Sequence, residues 1–322
     1  MKFGVAARNS GEWSGRGAQA CVDLALRADE LGYDSIWLSD HVILPKQPRT
    51  PYPYHPDGRF LLPWDAPYYE PLVMINALAA VTARARLGIG VLVMPLRHPV
   101  VTAKMLAAAD LLSGGRVVLG VGVGWLRDEF EALGLPAELF ERRGAVTDEY
   151  IGAVKEMWTN TGPSRYRGEF VDFADVGVFP KPAQKPHPPI LIGGRGRHAL
   201  RRASLLGNGY YGLMSTPEQL AGEVRELRRI CAHDRRDPDE LEVSLAHPVV
   251  LTERPREGER GRLHGSVEQV AEDLRDYGRA GLQQLVGGPV LKGAGSAEDE
   301  AFEGLELFAR EILPAFAGQG PA

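Results

Sequence analysis

The residues with the clearest chemical potential are Asp40 and His41, directly after Ser35-Ile36-Trp37-Leu38-Ser39. That run reads as a short buried strand. An acid and an imidazole at its end can move protons, because an imidazole titrates near neutral pH and a nearby carboxylate can orient it. Three further stretches are bare enough for a ligand to lie close. Gly88-Ile89-Gly90-Val91 falls inside a strand pattern, where glycine marks a bulge or the close approach of a ligand. Gly120-Val121-Gly122-Val123-Gly124-Trp125 offers open backbone at Gly122 and Gly124 and a stacking face at Trp125. Gly193-Gly194-Arg195-Gly196-Arg197 leads into a helix pattern. Backbone N–H groups at a helix start, with the charges of Arg195 and Arg197, form a phosphate site. Residues 194–199 also match G-x-G-x-x-A, with Glu218 farther on. At a fifth strand rather than a first, that match is the same anion physics in another fold.

These residues need a scaffold that gathers strand ends. Apolar runs at 2–7, 35–39, 86–93, 116–121, 189–192, 209–213, 241–251 and 282–286 read as strands. Helix patterns lie between them at 18–31, 71–83, 99–111, 126–134, 138–158, 198–206, 217–232 and from 267 to the stop at Gly281, and a last helix spans about 297–316. Thr216-Pro217-Glu218-Gln219 and Ser266-Val267-Glu268-Gln269 are capping boxes. Strands separated by helices pair in parallel. Eight such units predict an α/β fold, a (β/α)8 TIM barrel, with an open doubly wound sheet as the alternative. Barrel active sites gather at the carboxyl ends of the strands, which is where Asp40, His41 and the glycine runs after strands 4 and 5 fall. Two insertions interrupt the alternation. The one after strand 2, about 45–70, is rich in proline and aromatic residues and reads as an ordered lid or pocket wall. The one before strand 5, about 160–188, carries charges, aromatics and prolines and reads as a small hairpin.

Bulk properties narrow the class. The 322 residues fit one barrel domain over 1–322, since barrels of this kind routinely form a single domain. A net charge of −5 argues against nucleic-acid and anionic-membrane partners. Cys21 and Cys231 form no C-x-x-C and suit a reducing compartment. The N-terminus shows no secretory apolar region and no run of about 18 apolar residues occurs. Together these predict a cytoplasmic protein. There is no H-E-x-x-H, no P-loop, no G-x-S-x-G elbow, and no metal-ligand spacing among the eight histidines. The Arg and Glu run of 217–232 is a solvated face. Helices 71–83 and 99–111 are rich in Ala, Leu and Met, and one exposed face of them is expected to form a homodimer interface.

The chain resembles the bacterial-luciferase-like family of flavin and deazaflavin oxidoreductases. The matching segments are 28–41, Arg97-His98-Pro99-Val100, 111–116, Gly120 to Trp125, and Pro189 to Gly194. They cover most of the chain in the family's order. Ser39-Asp40-His41 together with Gly-Val-Gly-Trp most resembles the branch that uses coenzyme F420, a 5-deazaflavin. The resemblance implies the barrel and a cofactor at its carboxyl face, with Asp40 and His41 beside the deazaflavin ring. It implies a bulge with a non-prolyl cis peptide at Gly90-Val91 behind the ring, and the cofactor phosphate at Gly193 and Gly194. The sugar-phosphate dehydrogenases of the branch carry a Trp four residues past the His, where Pro45 stands here. They carry an acid after Gly-x-Gly, where Trp125 stands. Asn208-Gly209-Tyr210 replaces their Asp-Gly-Trp.

The expected function is an F420-dependent oxidoreductase acting on a small organic substrate under the 45–70 segment. His41 moves the accompanying proton, Asp40 orients it, and a second proton-transfer group is unassigned. The alternative is an FMN-dependent monooxygenase fed by a separate flavin reductase. Further readings are a cofactor-binding protein without catalysis and a Rossmann-type nicotinamide dehydrogenase, the latter requiring an open sheet.

Overall fold

Eight parallel strands close into a barrel. They are β1 (Lys2–Ala6), β2 (Ser35–Leu38), β3 (Arg86–Val93), β4 (Val117–Gly122), β5 (Ile190–Gly193), β6 (Gly209–Leu213), β7 (Glu242–Ala246) and β8 (Gln284–Gly287). Each pairs with its sequence neighbours, and β1 closes the ring on β8 with Lys2 opposite Gln284. This computed structural model describes residues 1–55 and 57–317. Pro56 of the 45–70 segment and residues 318–322 lie outside the described residues.

The helices form an outer ring: α1 (Ala18–Leu31), α2 (Pro71–Val81), α3 (Pro99–Leu112), α4 (Arg127–Ala132), α5 (Ala137–Glu141), α6 (Arg143–Thr159), α7 (Arg197–Leu206), α8 (Pro217–Asp234), α9 (Val267–Arg279) and α10 (Ala297–Glu311). Both expected capping boxes form, at Thr216 and Ser266, and Ser296 with Asp299 adds a third. Gly32 ends α1 in the left-handed conformation, φ 87, which glycine adopts without a Cβ penalty. The main core lies between the strands and this ring. Inside the barrel, Trp37, Val118, Leu191, Tyr211 and Val286 pack together. Below them a polar line runs from Trp37 through Ser35, Gln284 and Ser244 to Glu242. Cys21 and Cys231 are both buried and free, and burial pushes the Cys21 thiol up to about 12.

Four expected elements end differently. The run 241–251 is not one strand. Pro248 lacks the N–H a ladder needs, and after Ala246 the chain leaves the barrel. Val250–Leu251 then joins a small parallel sheet with His264–Gly265 and Val290–Leu291. The expected helix 138–158 bends at Arg142, just before the weak helix former Gly144. The helix expected to reach 316 stops at Glu311, because Pro314 cannot continue it; a single turn follows at Leu313–Phe316. Helix α2 stops at Val81 rather than 83. The Asp29 carboxylate takes the N–H groups of Ala83, Arg84 and Ala85 at 2.7, 3.0 and 2.6 Å, holding them out of the helix.

Residues 160–188 contain the antiparallel hairpin Ser164–Arg167 with Asp172–Val176. Among the described residues the segment after β2 runs to α2 without a helix, and an isolated bridge joins Ser10 to Tyr68. No helix among the described residues is long and apolar enough to cross a membrane.

Candidate active site

The end of β2 places His41 at the carboxyl mouth of the barrel, 9% exposed. Its Nδ1 lies 3.0 Å from an oxygen of Glu129, which is itself 1% exposed. The other Glu129 oxygen accepts the Val42 N–H at 2.8 Å. A carboxylate only accepts, so Nδ1 carries the proton; in the neutral imidazole Nε2 is then the free acceptor. Glu129 lies on α4, 88 residues from His41. Sequence reasoning missed it, because an acid in the first turn of a short polar helix reads as a solvated residue. A signal was present: Glu129 stands beside the apolar Phe130 and three residues after Leu126, both 1% exposed, and an acid drawn in with such residues needs a buried partner.

Asp40 has a different role from the expected one. Its side chain is fully buried and forms a two-pronged ion pair with Arg97, Oδ1 to Nη2 and Oδ2 to Nη1, both at 2.8 Å. Oδ2 also accepts the Val93 N–H at 2.8 Å. Arg97 reaches on to Glu70 at 2.7 Å, and Glu70 caps α2 by accepting the Val73 N–H. Burial opposes the Arg97 charge, but Asp40 and Glu70 outweigh it and its pKa is raised. The expectation that Asp40 orients His41 is therefore corrected. Consecutive residues in extended chain point to opposite sides; His41 turns toward α4, and Asp40 turns toward β3. What Asp40 does is tie the end of β2 to the end of β3 and the start of α2.

Aromatic side chains wall the imidazole. The rings of Phe60, Tyr68 and Trp125 lie 5.0, 5.5 and 5.9 Å from that of His41, each edge to face. Tyr52 packs on Phe60 and Trp125 at 5.2 and 5.1 Å. Three of these four rings come from the 45–70 segment, so that segment is a wall of the mouth. The Tyr68 hydroxyl donates to Ser39 Oγ at 2.6 Å, and burial raises its pKa. Asn9, fully buried, fastens the wall to the barrel. Its amide donates to the carbonyls of Ser39 and Tyr69 at 2.9 Å, and its oxygen accepts the Ser39 N–H at 2.9 Å. The sequence carried no sign of that role.

The glycine stretches meet beside this wall. The Gly90–Val91 peptide is cis, as expected, and the pairing of β3 with β4 shifts register between Ile89 and Leu92. Gly90 lies over the Trp37 and Tyr211 rings, whose centroids are 5.0 Å apart. The Val91 side chain stands between β4 and β5: a Cβ on Gly122 would lie 2.5 Å from its Cγ2, and one on Gly193 would overlap its Cγ1. Gly124 carries φ 83 and leads to Trp125. At the end of β5, Gly194 and Gly196 have φ 121 and 80, and α7 starts without a side-chain cap. Arg195 donates to the Leu213 carbonyl at 2.9 Å and its guanidinium lies 5.4 Å from the Tyr54 ring, which packs on Tyr52. The structure thus brings His41, Gly90, Val91, Gly122, Gly124, Trp125, Gly193, Gly194 and Arg195 to one end of the barrel, with Asp40 behind them as a brace.

Such a mouth combines an imidazole, a group chemically able to transfer protons, with a wall of aromatic rings and, among the described residues, backbone N–H groups at a helix start without a side-chain cap. A model of the luciferase-like monooxygenase family matches residues 1–262. The chain is 34% identical over 215 residues to an uncharacterized protein of Mycobacterium tuberculosis (strain ATCC 25618 / H37Rv), covering 67% of this chain and 70% of that one. It is 34% identical over 160 residues to the FMNH(2)-dependent dimethylsulfone monooxygenase of Pseudomonas putida, covering 50% and 44%. It is 29% identical over 238 residues to the F420-dependent glucose-6-phosphate dehydrogenase of Amycolatopsis mediterranei (strain U-32), covering 72% and 66%. By the extent of the family match and the closed parallel barrel, the chain belongs to the luciferase-like monooxygenase family.

Proposed function

We propose that the protein is an oxidoreductase that uses coenzyme F420 and acts on a small organic substrate held at the carboxyl mouth of the barrel. The observation that carries the reading is His41, fixed by Glu129 through Nδ1 and walled by Phe60, Tyr68 and Trp125. The residues present fit a flat cofactor with a phosphate arm. The missing side chains of Gly122 and Gly193 make room for Val91, whose side chain fills that space beside the cis peptide and offers an apolar support for a flat ring. The uncapped start of α7 offers backbone donors to the phosphate, and Arg195 adds positive charge. A deazaflavin, when bound, supplies a hydride carrier that reacts poorly with oxygen. His41 holds or releases a proton at Nε2, Glu129 keeps the imidazole in register, and the aromatic wall keeps water from the reacting centre.

Two features favour F420 over FMN: the Ser39-Asp40-His41 and Gly-Val-Gly-Trp segments, and the longer stretch shared with the F420-dependent relative. The identity to the FMNH(2)-dependent monooxygenase supports the second reading, an FMN-dependent monooxygenase supplied by a separate reductase. Titrating the apoprotein with F420 and FMN in parallel, read by fluorescence, distinguishes them. Tight F420 binding is expected; tight FMN binding with none for F420 overturns the choice.

We also propose that the protein works in the cytoplasm as a homodimer. Helices α2 and α3 pack on each other yet expose Val73, Val101 and Leu112 at 62, 56 and 59%. Strongly exposed apolar side chains on two packed helices are the support for an interaction surface there. Sedimentation at micromolar concentration is expected to give twice the chain mass, and a Val73→Glu, Val101→Glu double variant is expected to sediment as a monomer. A monomeric wild-type protein overturns the dimer.

A further inference from the structure

A second charged group at the mouth has no anionic partner among the described residues. Arg8 follows β1 at the carboxyl end of the barrel. Along β1, Phe3 and Val5 pack under the outer helices, while Gly4 faces Trp37 in the interior. By strand alternation Ala6 also faces inward. On β8, Val286 packs in the interior with Trp37 and Tyr211, which turns Gly288, two residues on, over the mouth. A Cβ on Gly288 would lie 3.7 Å from Arg8 Nε and 3.8 Å from the Ala6 Cβ. The Arg8 side chain therefore runs along the inner rim between the ends of β1 and β8.

Its backbone is left-handed, φ 53, an uncommon conformation for a residue with a side chain. The guanidinium carbon lies 5.4 Å from the centre of the Trp13 ring, and the Trp13 indole donates to the Arg8 carbonyl at 2.8 Å. Among the described residues no carboxylate reaches ion-pair distance of this guanidinium, and no oxygen accepts a hydrogen bond from it. Glu300 is the carboxylate whose charge it feels, but Glu300 is engaged by Lys292 at 2.6 Å and by the Gly293 N–H at 3.1 Å. Burial lowers the Arg8 pKa, with Glu300 opposing. Other sheltered arginines of this chain are satisfied: Arg97 by Asp40 and Glu70, Arg116 by the carbonyls of Ala85 and Thr82. A partly desolvated cation without a partner is costly unless an anion joins it.

The rim leads from Arg8 to the proton-transfer group. Two residues on, Ser10 pairs with Tyr68, and the Tyr68 ring is 5.5 Å from that of His41. We propose that Arg8 anchors the carboxylate of the substrate, and that the substrate class is a flat, largely apolar carboxylic acid whose body lies along the Tyr68, Phe60 and Trp125 wall. This rests on reading the mouth as the substrate site. Trp13 holds the guanidinium plane so that its fork meets a carboxylate with two hydrogen bonds.

The test is calorimetric titration of the F420-loaded protein with benzoate and phenylacetate, each against its neutral amide. The wild-type protein is expected to prefer the acids by roughly 10- to 100-fold, the effect of a charge-assisted hydrogen bond. Arg8→Met is expected to abolish the preference and leave F420 affinity unchanged. Arg8→Lys is expected to retain part of it, a point charge in place of a fork. Arg8→Gln serves the same comparison if the methionine variant does not fold. Equal binding of acid and amide, failure of both acids to bind at millimolar concentration, or a preference that survives loss of Arg8 each overturns the proposal. So does an Arg8→Met protein that loses F420 affinity, since Arg8 would then serve the cofactor. Failure of the oxidoreductase reading looks different: neither F420 nor FMN binds the wild-type protein, whereas the acid preference is read without turnover and is repeated on the apoprotein.

Discussion

Replacing His41 by alanine is expected to lower turnover by roughly 10²- to 10⁴-fold, the usual contribution of a positioned acid or base. Cofactor affinity is expected to stay near wild type, because the backbone donors around Gly194 and the Val91 side chain seated beside Gly122 and Gly193 are untouched. Glu129 acts through His41 and is a positioning residue. In Glu129→Gln the amide can face His41 Nδ1 with either its oxygen or its NH2. In the second orientation the imidazole carries its proton on Nε2, and the free acceptor is lost. The variant is expected to lower kcat with little change in KM. Alanine at 129 also removes the acceptor of the Val42 N–H and adds a stability loss of about 0.5–1.5 kcal/mol, the net worth of a typical hydrogen bond. The measurement is steady-state turnover with saturating cofactor, alongside cofactor binding by fluorescence. A His41→Ala enzyme with full turnover removes His41 from the chemistry. A Glu129→Gln enzyme that changes KM alone removes the positioning role.

Asp40→Ala is expected to destabilise the fold by roughly 3–5 kcal/mol, the cost of leaving one partner of a buried ion pair uncompensated. Arg97 would keep Glu70, whose side chain is 38% exposed, so the loss falls toward the lower end. The Val93 N–H would lose its acceptor as well. Removing both partners, as in Asp40→Leu with Arg97→Met, is expected to recover a large part of the loss, since no buried charge is then stranded. Urea denaturation of the two single variants and the double variant gives the cycle. An Asp40→Ala protein with wild-type stability and lost turnover would restore Asp40 to the chemistry.

The scaffold was legible because its signals are local. Alternation of apolar runs with helix patterns, the capping boxes at Thr216 and Ser266, and the stop at Gly32 each depend on a few adjacent residues. The mismatches also have local markers: Pro248 in the run of the seventh strand and Pro314 in that of the last helix. The early stop of α2 had none, because Asp29, more than fifty residues away, decides it.

By itself the sequence determined that an imidazole stands at the end of the second strand, that one glycine-rich stretch lies within the third strand and two others end the fourth and fifth, and that an aromatic segment follows His41. Only the tertiary structure decided which groups those residues meet. Asp40 and His41 are neighbours in the chain, yet they serve different partners, because an extended backbone sends successive side chains to opposite sides. Glu129 and Arg97 reach them from 88 and 57 residues away. Barrel closure brings β1 beside β8, and so puts Arg8 near the rim with, among the described residues, no carboxylate at ion-pair distance. Periodicity and propensity act within a turn of helix or a few residues of strand. Which carboxylate finds which cation at the mouth is set by how the closed barrel places its strand ends.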